Sequence, residues 1–596
     1  MRVFLFFFVA AFILLPVQIE AQESSLRNQV ETILKQQQLI GLVWSGHSAE
    51  GAFIGAAGLA NVEQKTAMAI DTKVQVGSVT KTVLALGILR LISEDRLSLD
   101  TEVESLLPML NWQNPWAQEA PIKIRHLLEH TAGLDNIRMW QFLNSSVGPS
   151  DSLFDAFPYT HKKLLTIRTK PGSQYSYSNM GYALLGLIIE ETTNLAYENF
   201  LEAALLAPLG MSDSTFYFLH QSTDPKLAMG YFEDAVAQSS VPTFLRPAGQ
   251  FTTTAVDMLK FSEFLMGDGV LSNKVFILPE LMEQFWTTTS TKAAKGGLII
   301  GHGLGLAARD RHGVLSYCHP GETYGFRAYL CVFPEERKAF FYGVNTDNEA
   351  ANYELINQLF IKQLSINKIS KTPANKNDAK LCRYVGFYNL DPNNMAQFSW
   401  IDWMFNSIWI SEKGGKLLIQ SLQNADQELQ NVGEHLFRAK DRRLASHVFL
   451  DEHKMYLSTG LTTYVRNTSY LFFANWISMI LGLVGIVYLI LRGSWVVLNR
   501  DNTMPMVQFL PYLNVMAFVL PAYLFAQQSF LEFGEKTIAA TSLAILSGLL
   551  PITLIIALIH KCRSKKGNTL DLIGYIATLQ FLLALVYWEV LPLIFW

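Results

Sequence analysis

Ser78 and Lys81 stand at the head of the stretch Val76 to Arg90, VGSVTKTVLALGILR. A helix there puts the hydroxyl and the amine on one face, a single turn apart. A serine at a helix start lies among unpaired backbone N–H groups and the positive end of the dipole, which stabilise an alkoxide or a developing oxyanion. A neighbouring lysine can hold or accept the hydroxyl proton. The spacing alone is cheap, because Ser365-Ile366-Asn367-Lys368 repeats it in a polar stretch with no apolar helix behind it. By itself the first pair reads equally as a capping serine and a solvated lysine, so partners elsewhere in the chain must decide.

Two stretches offer partners. Pro171 to Glu190, PGSQYSYSNMGYALLGLIIE, feeds a loop carrying Tyr177-Ser178-Asn179 into an apolar helix, a rigid mount for a phenol and an amide. Gly301 to Pro334 reads as two β runs around a tight turn, His319-Pro320-Gly321-Glu322-Thr323, where a glycine beside a strand edge admits a ligand backbone. His126 and His130 in IRHLLEHTAGL are spaced i, i+4, but no Glu follows His126 directly, so the zincin pattern fails and both read as structural. The four cysteines, Cys318, Cys331, Cys382 and Cys562, are too few and scattered for a disulfide framework or a zinc site. Cys318 and Cys331 could pair across a hairpin, which the spacing does not establish. No metal site or cofactor is expected.

The elements that must position these groups follow from the patterning. Gln22 to about Lys35 predicts an amphipathic helix, and Leu39 to Val62 short β runs punctuated by glycine. Ile124 to Leu134 predicts a short helix stopped by Gly133. Arg246 to Phe261 predicts a glycine turn and then a helix, with Thr254 and Asp257 in a capping-box arrangement.

The 596 residues exceed one ordinary domain, and a chain half hydrophobic with 16% charged residues calls for membrane segments. A net charge of -4, with no basic stripe interleaved with aromatics, argues against nucleic acid. Residues 1–21 read as an export signal: Arg2, an apolar run from Val3 to Val17, and small Ala21 at the cleavage point. At the other end four spans are expected, at about 470–491, 507–525, 537–559 and 572–596. Arg492 and Arg500 flank the first connection and His560 to Lys566 fills the third, so by the positive-inside rule the domain before Tyr470 lies outside the cytoplasm. Glu589, near the outer end of the last span, is expected to reach interfacial water. Between these ends lie a domain over 22–365, a polar linker at 366–378 and a small β module at 379–466.

Together the motifs resemble the serine β-lactamase and penicillin-binding-protein superfamily, within it the class C-like group that includes serine esterases and D-amino-acid peptidases. Ser78-Val79-Thr80-Lys81 matches the nucleophile motif, Tyr177-Ser178-Asn179 the Tyr-x-Asn motif and His319-Pro320-Gly321 the third-strand motif. IRHLLEHTAGL, PLGMSDSTF and RPAGQFTTTAVDM are similar to the family's surrounding signatures, in its order. The resemblance implies an α+β fold, an antiparallel sheet flanked by helices with a helical subdomain. The stretches YVGFY and GGKLLIQ resemble the small lipocalin-like modules that follow such domains, expected to brace the domain or narrow its cleft.

The resemblance also implies roles. Ser78 is the nucleophile, and Lys81 and Tyr177 form the base system, with Lys81 and a near-neutral His319 favouring the phenolate. Asn179 orients Lys81 and the substrate amide. Gly321 and His319 line the substrate site, and the backbone N–H groups of Ser78 and Glu322 form the oxyanion hole. Penicillin-targeted members carry Lys-Thr-Gly on the third strand to hold a substrate carboxylate, and here His319 stands in that place. A Glu-x-x-Leu-Asn motif is also missing. The expectation is therefore a membrane-anchored, multi-pass serine hydrolase, an esterase or peptidase acting on a small molecule or peptide outside the cytoplasmic membrane. The alternatives are a prodrug-activating D-amino-acid peptidase, a β-lactamase or DD-peptidase, a catalytically silent cell-wall sensor, and a transport accessory.

Overall fold

The computed structural model describes residues 25–375, 380–499, 504–564 and 569–596. The expected export signal at 1–21 and the end of the linker fall outside them. A helix through residues 25–36 leads into the hairpin of β1 (Gly41–Ser48) and β2 (Gly51–Asn61). Strands β3 (Ala307–Arg311), β4 (Val314–Thr323), β5 (Phe326–Phe333) and β6 (Lys338–Val344) follow much later in the chain. Together they make an antiparallel sheet in the order β3-β4-β5-β6-β1-β2, extended at each edge by a two-residue strand.

Both faces of the sheet are covered, so β6 is buried along its whole length. Alternation divides it between two cores. Ala339 and Phe341 join the core built by helices α1 (Val79–Ser93), α2 (Asn179–Thr193) and α3 (Ala255–Leu265). Phe340 and Tyr342 join the core formed with the helix at 25–36 and α4 (Glu354–Gln363). Thr254 caps α3 by accepting from Asp257 N, but the capping box is only half made. The Asp257 carboxylate accepts from Asp213 N and Ser214 Oγ instead, and so ties the loop before α3 to its first turn.

Two expectations for the third-strand region change. His319 to Thr323 is no turn: β4 runs unbroken to Thr323, and the chain reverses at Tyr324 and Gly325. Pro320 is tolerated because β3 pairs with β4 only as far as Cys318, leaving the rest of that edge without a ladder partner. Cys318 then lies directly opposite Cys331 with Cα atoms 4.2 Å apart, and the two form a disulfide.

The linker is held along part of its length, with Ile369 N donating to Gly313 O and Thr372 N to Arg443 O. It enters a closed eight-stranded barrel: β7 (Gly386–Leu390), β8 (Ile408–Lys413), β9 (Lys416–Ser421), β10 (Gln427–Asn431), β11 (Leu436–Ala439), β12 (His447–Asp451), β13 (Met455–Ser458) and β14 (Thr463–Asn467). Helix α5 (Ser399–Phe405), which the sequence did not suggest, separates β7 from β8.

Four helices among the described residues are long and apolar enough to cross a membrane: α6 (Ser469–Leu498), α7 (Met506–Ala526), α8 (Ile538–Arg563) and α9 (Thr569–Tyr587). The last stops at Tyr587, short of the expected Trp596. Gly482 and Gly485 let α6 approach α9, where a Cβ would meet Phe581 and Thr578. At the far end, the Asp571 carboxylate accepts from Tyr488, Arg492 and Lys561 and joins α6, α8 and α9. On the near side, Glu535 accepts from Ser145 of the sheet domain at 2.6 Å, and Phe530 packs against Phe232 and Tyr324. Glu589 lies beyond α9 and pairs with Lys163 of that domain at 2.6 Å, both side chains 72% exposed.

Candidate active site

Thirteen of the fifteen residues of α1 are buried, so the helix is clamped all round rather than along one stripe. Its start lies against β4 through two glycines. Gly77 has φ of +48°, and a Cβ there would stand 2.4 Å from Glu322 N; a Cβ on Gly321 would stand 1.9 Å from Val76 O. Antiparallel ladders alternate bonded and unbonded pairs. Thr323 and Phe326 close the two-residue turn as a bonded pair, so Glu322 opposite Arg327 is unbonded and its N–H points off β5, toward Gly77. The Ser78 N–H donates to nothing among the described residues. Replacing Gly321 with Ala forces the nucleophile turn off the strand. The expected loss in kcat/KM is about 100-fold for a displacement near 1 Å, read with any turned-over ester or amide.

Ser78 Oγ makes no capping bond. It lies 2.9 Å from Lys81 Nζ and accepts from the Tyr177 hydroxyl at 2.8 Å. Lys81 is fully buried, Nζ donating to Ala248 O at 2.7 Å, and burial holds its pKa well below the ordinary lysine value. Burial pushes Tyr177 the other way, above the usual phenol range, with the Ser78 hydrogen bond opposing. Burial thereby works against the expected phenolate. It favours the neutral form of both groups, and in that form the Ser78 O–H can donate to the amine while Tyr177 donates to Oγ.

His319 also departs from expectation. Burial, then His302 and Lys81, hold it well below the ordinary imidazole range, and its Nδ1–H donates to Pro320 O at 2.7 Å. It belongs to a buried cluster with His302, whose Nδ1–H donates to Gly303 O, and His130. His130 Nδ1 accepts from Ser178 N at 3.1 Å, so its Nε2 carries the proton. The cluster thus offers one donor and two lone pairs, a set that suits a divalent metal poorly. His126 likewise spends Nδ1 on Lys123 N. His130 braces the Tyr-x-Asn loop, its ring 4.4 Å from that of Tyr177. Glu322 faces Arg327 at 3.6 Å, and that guanidinium also pairs with Asp347 and Glu349.

The histidine cluster should make the domain less stable in acid. Its folded pKa values lie below the unfolded one, about 4 against 6.5 for His302, so the unfolded chain binds more protons in that window. Stability is complete above pH 6.5 and declines as pH falls, by up to about 1.4 kcal/mol per unit for each imidazole. Urea midpoints measured between pH 7.5 and 5 should fall, and His302→Gln should make the decline shallower.

Asn179 does not reach Lys81 among the described residues. Its N–H and Nδ2 both donate to Asn136 Oδ1, at 3.1 and 2.7 Å, and Asn136 Nδ2 donates to Asn394 of the barrel at 3.0 Å. The same loop sends Ala396 N to Asp135 Oδ1, and Asp391 O accepts from Gln174 Nε2. The barrel therefore braces the Tyr-x-Asn loop from outside. Asn394→Leu should lower kcat severalfold, about 1 kcal/mol for one lost hydrogen bond, with KM unchanged, and Asn394→Asp, which keeps the acceptor, should restore it.

Ser78, Tyr177, His319, Gly321 and Glu322 line one cavity of about 410 Å³, together with His302. Lys81 lies behind Ser78, and Asn179 beside it. Sequence reasoning missed His302, Asn136, Asn394 and the Ala248 carbonyl. RPAGQF marked the turn that carries Ala248, but a backbone acceptor has no residue-type signal.

Comparison with known proteins agrees with this arrangement. The Beta-lactamase family model matches residues 26–361. Penicillin-binding protein 4* of Bacillus subtilis (strain 168) is 24% identical over 402 residues, 62% of this chain and 84% of that protein. Penicillin-binding protein 4 of Amycolatopsis lactamdurans is 27% identical over 303 residues, 47% of this chain and 74% of that one. The crystal structure of SurE superposes with a TM-score of 0.51 at 20% identity, over 75% of this chain and 99% of its own, a likeness of fold. The chain belongs to the Beta-lactamase family, in the serine β-lactamase and penicillin-binding-protein superfamily, whose members are generally serine hydrolases.

Proposed function

We propose that this chain is a membrane-anchored esterase or peptidase that works through an acyl-enzyme on Ser78, with its catalytic domain outside the cytoplasm. The observation that carries this reading is the bridging of one serine oxygen by a buried lysine amine and a tyrosine hydroxyl, at 2.9 and 2.8 Å. Lys81 takes the hydroxyl proton as Ser78 Oγ bonds to the substrate carbonyl carbon, and the carbonyl electron pair moves to oxygen, facing the N–H groups of Ser78 and Glu322. Collapse breaks the bond to the leaving group, which receives the Tyr177 proton; the Lys81 ammonium then reprotonates Tyr177. Water gives a proton to the Lys81 amine as it adds to the acyl carbon. That proton passes to Oγ as the acid leaves.

The choice of esters or amides over penicillins rests on His319. Neutral, with Nδ1–H tied to Pro320 O, it presents no cation where penicillin-targeted relatives place a lysine. The location rests on the apolar run at 3–17 and on charge. The catalytic domain contacts Glu535 and Glu589 on one side of the bundle, whereas Arg492, Lys561 and Arg563 belong to the opposite connections. The full chain should be assayed with p-nitrophenyl esters, N-acyl D-amino-acid peptides and a chromogenic β-lactam. Turnover of an ester or peptide well above the β-lactam supports the reading, and a preference for the β-lactam contradicts it.

A further inference from the structure

Where the sheet domain, the barrel and the chain beyond α9 meet, they enclose a second cavity of about 420 Å³. One wall is basic: Arg138, Lys162 and Lys163. Arg138 is committed to Asp135 at 3.1 Å, and Lys163 pairs with Glu589 where water reaches both. Lys162 makes no ion pair among the described residues. The chain end adds Phe595 and Trp596 to the lining, and Trp140, largely buried, packs on His161 beside the lysines. Because α9 ends at Tyr587, this cavity stands at the level where a bilayer turns from hydrocarbon to headgroup, whichever way the chain is oriented.

We infer that this cavity binds the phosphate headgroup of an anionic phospholipid. The phosphate fits against Lys162 and Lys163, exposed Glu589 being free to swing away, and the glycerol and first methylenes lie against Phe595 and Trp596. Cationic and aromatic side chains lining one cavity at headgroup depth suit an amphiphile better than a free ion, which would leave the aromatic surface unused. Ala396 lines the same cavity and donates to Asp135, one residue from the Asn136 that holds Asn179. An occupant would therefore rest against the braces of the candidate active site. The binding claim goes beyond the hydrolase reading and stands whether or not Ser78 turns anything over.

The full chain in nanodiscs of phosphatidylcholine with a minority of phosphatidylglycerol tests it, by native mass spectrometry of lipid retained after detergent extraction. One phosphatidylglycerol should be retained in preference to phosphatidylcholine. Lys162→Ala should weaken retention roughly fivefold and Lys162→Ala with Lys163→Ala roughly thirtyfold, with the melting temperature in detergent confirming that both variants fold. Equal retention of phosphatidylcholine, or undiminished retention by the folded variants, overturns the inference. Displacement by millimolar inorganic phosphate overturns it as well, assigning the site to a free anion.

Discussion

Replacing Ser78 with Ala removes hydrolysis while leaving the protein folded. The expected loss in kcat is on the order of 10⁴-fold or more, because a nucleophile works as a unit with its base and little catalysis survives without it. The fold should tolerate the change. Ser78 makes no cap bond, and α1 is held by the burial of its remaining residues rather than by its first one. Melting should therefore shift by no more than about 0.5–1 kcal/mol. Measuring kcat and Tm on the same preparation separates the two effects, and a Ser78→Ala variant that keeps its turnover would remove Ser78 from the reaction.

Lys81→Arg should be nearly as damaging, by roughly 10³–10⁴-fold, since a guanidinium cannot lose its proton and so cannot act as the base. The pH dependence follows from burial. With the Lys81 pKa held well below its ordinary 10.5, the amine is already neutral at pH values where a solvated lysine is charged. Activity should therefore hold level downward from pH 9 and fall only as pH drops through the folded lysine pKa. Stability has the same sign. Below pH 10.5 the unfolded chain carries a proton that the folded one lacks, so the buried amine weakens the fold increasingly as pH falls toward its folded pKa, by about 1.4 kcal/mol per unit. Lys81→Met should lose activity yet show a flatter stability profile over that range. Parallel profiles for Met and wild type would mean that Lys81 is charged in the folded protein.

The parts legible in the sequence are those where residue type and local spacing carry the information. The Ser-x-x-Lys pair and the Tyr-x-Asn loop each sit at the entrance to an apolar helix, and four long apolar runs mark the spans. What escaped depends on tertiary placement. Composition around His319 gives no sign that burial would strip its charge, because the histidines packed with it come from elsewhere, His302 from another strand of the same sheet and His130 from a distant segment. The same burial works against the phenolate that the resemblance implied for Tyr177. Proline and glycine at 320 and 321 read as a turn; in the fold they belong to a strand edge that β3 leaves unpaired. The role of the barrel in bracing Asn136 rests on one loop whose residues, Asn393 and Asn394 among them, look like ordinary turn polarity.

Intact-protein mass spectrometry after treatment with a fluorophosphonate tests the central claim most directly, followed by peptide mapping of the adduct. One phosphonyl group should appear on Ser78 of the wild-type chain, more slowly on Lys81→Arg and not at all on Ser78→Ala. A wild-type adduct on another residue, or equal labelling of Ser78→Ala, would contradict the assignment of this serine as the nucleophile.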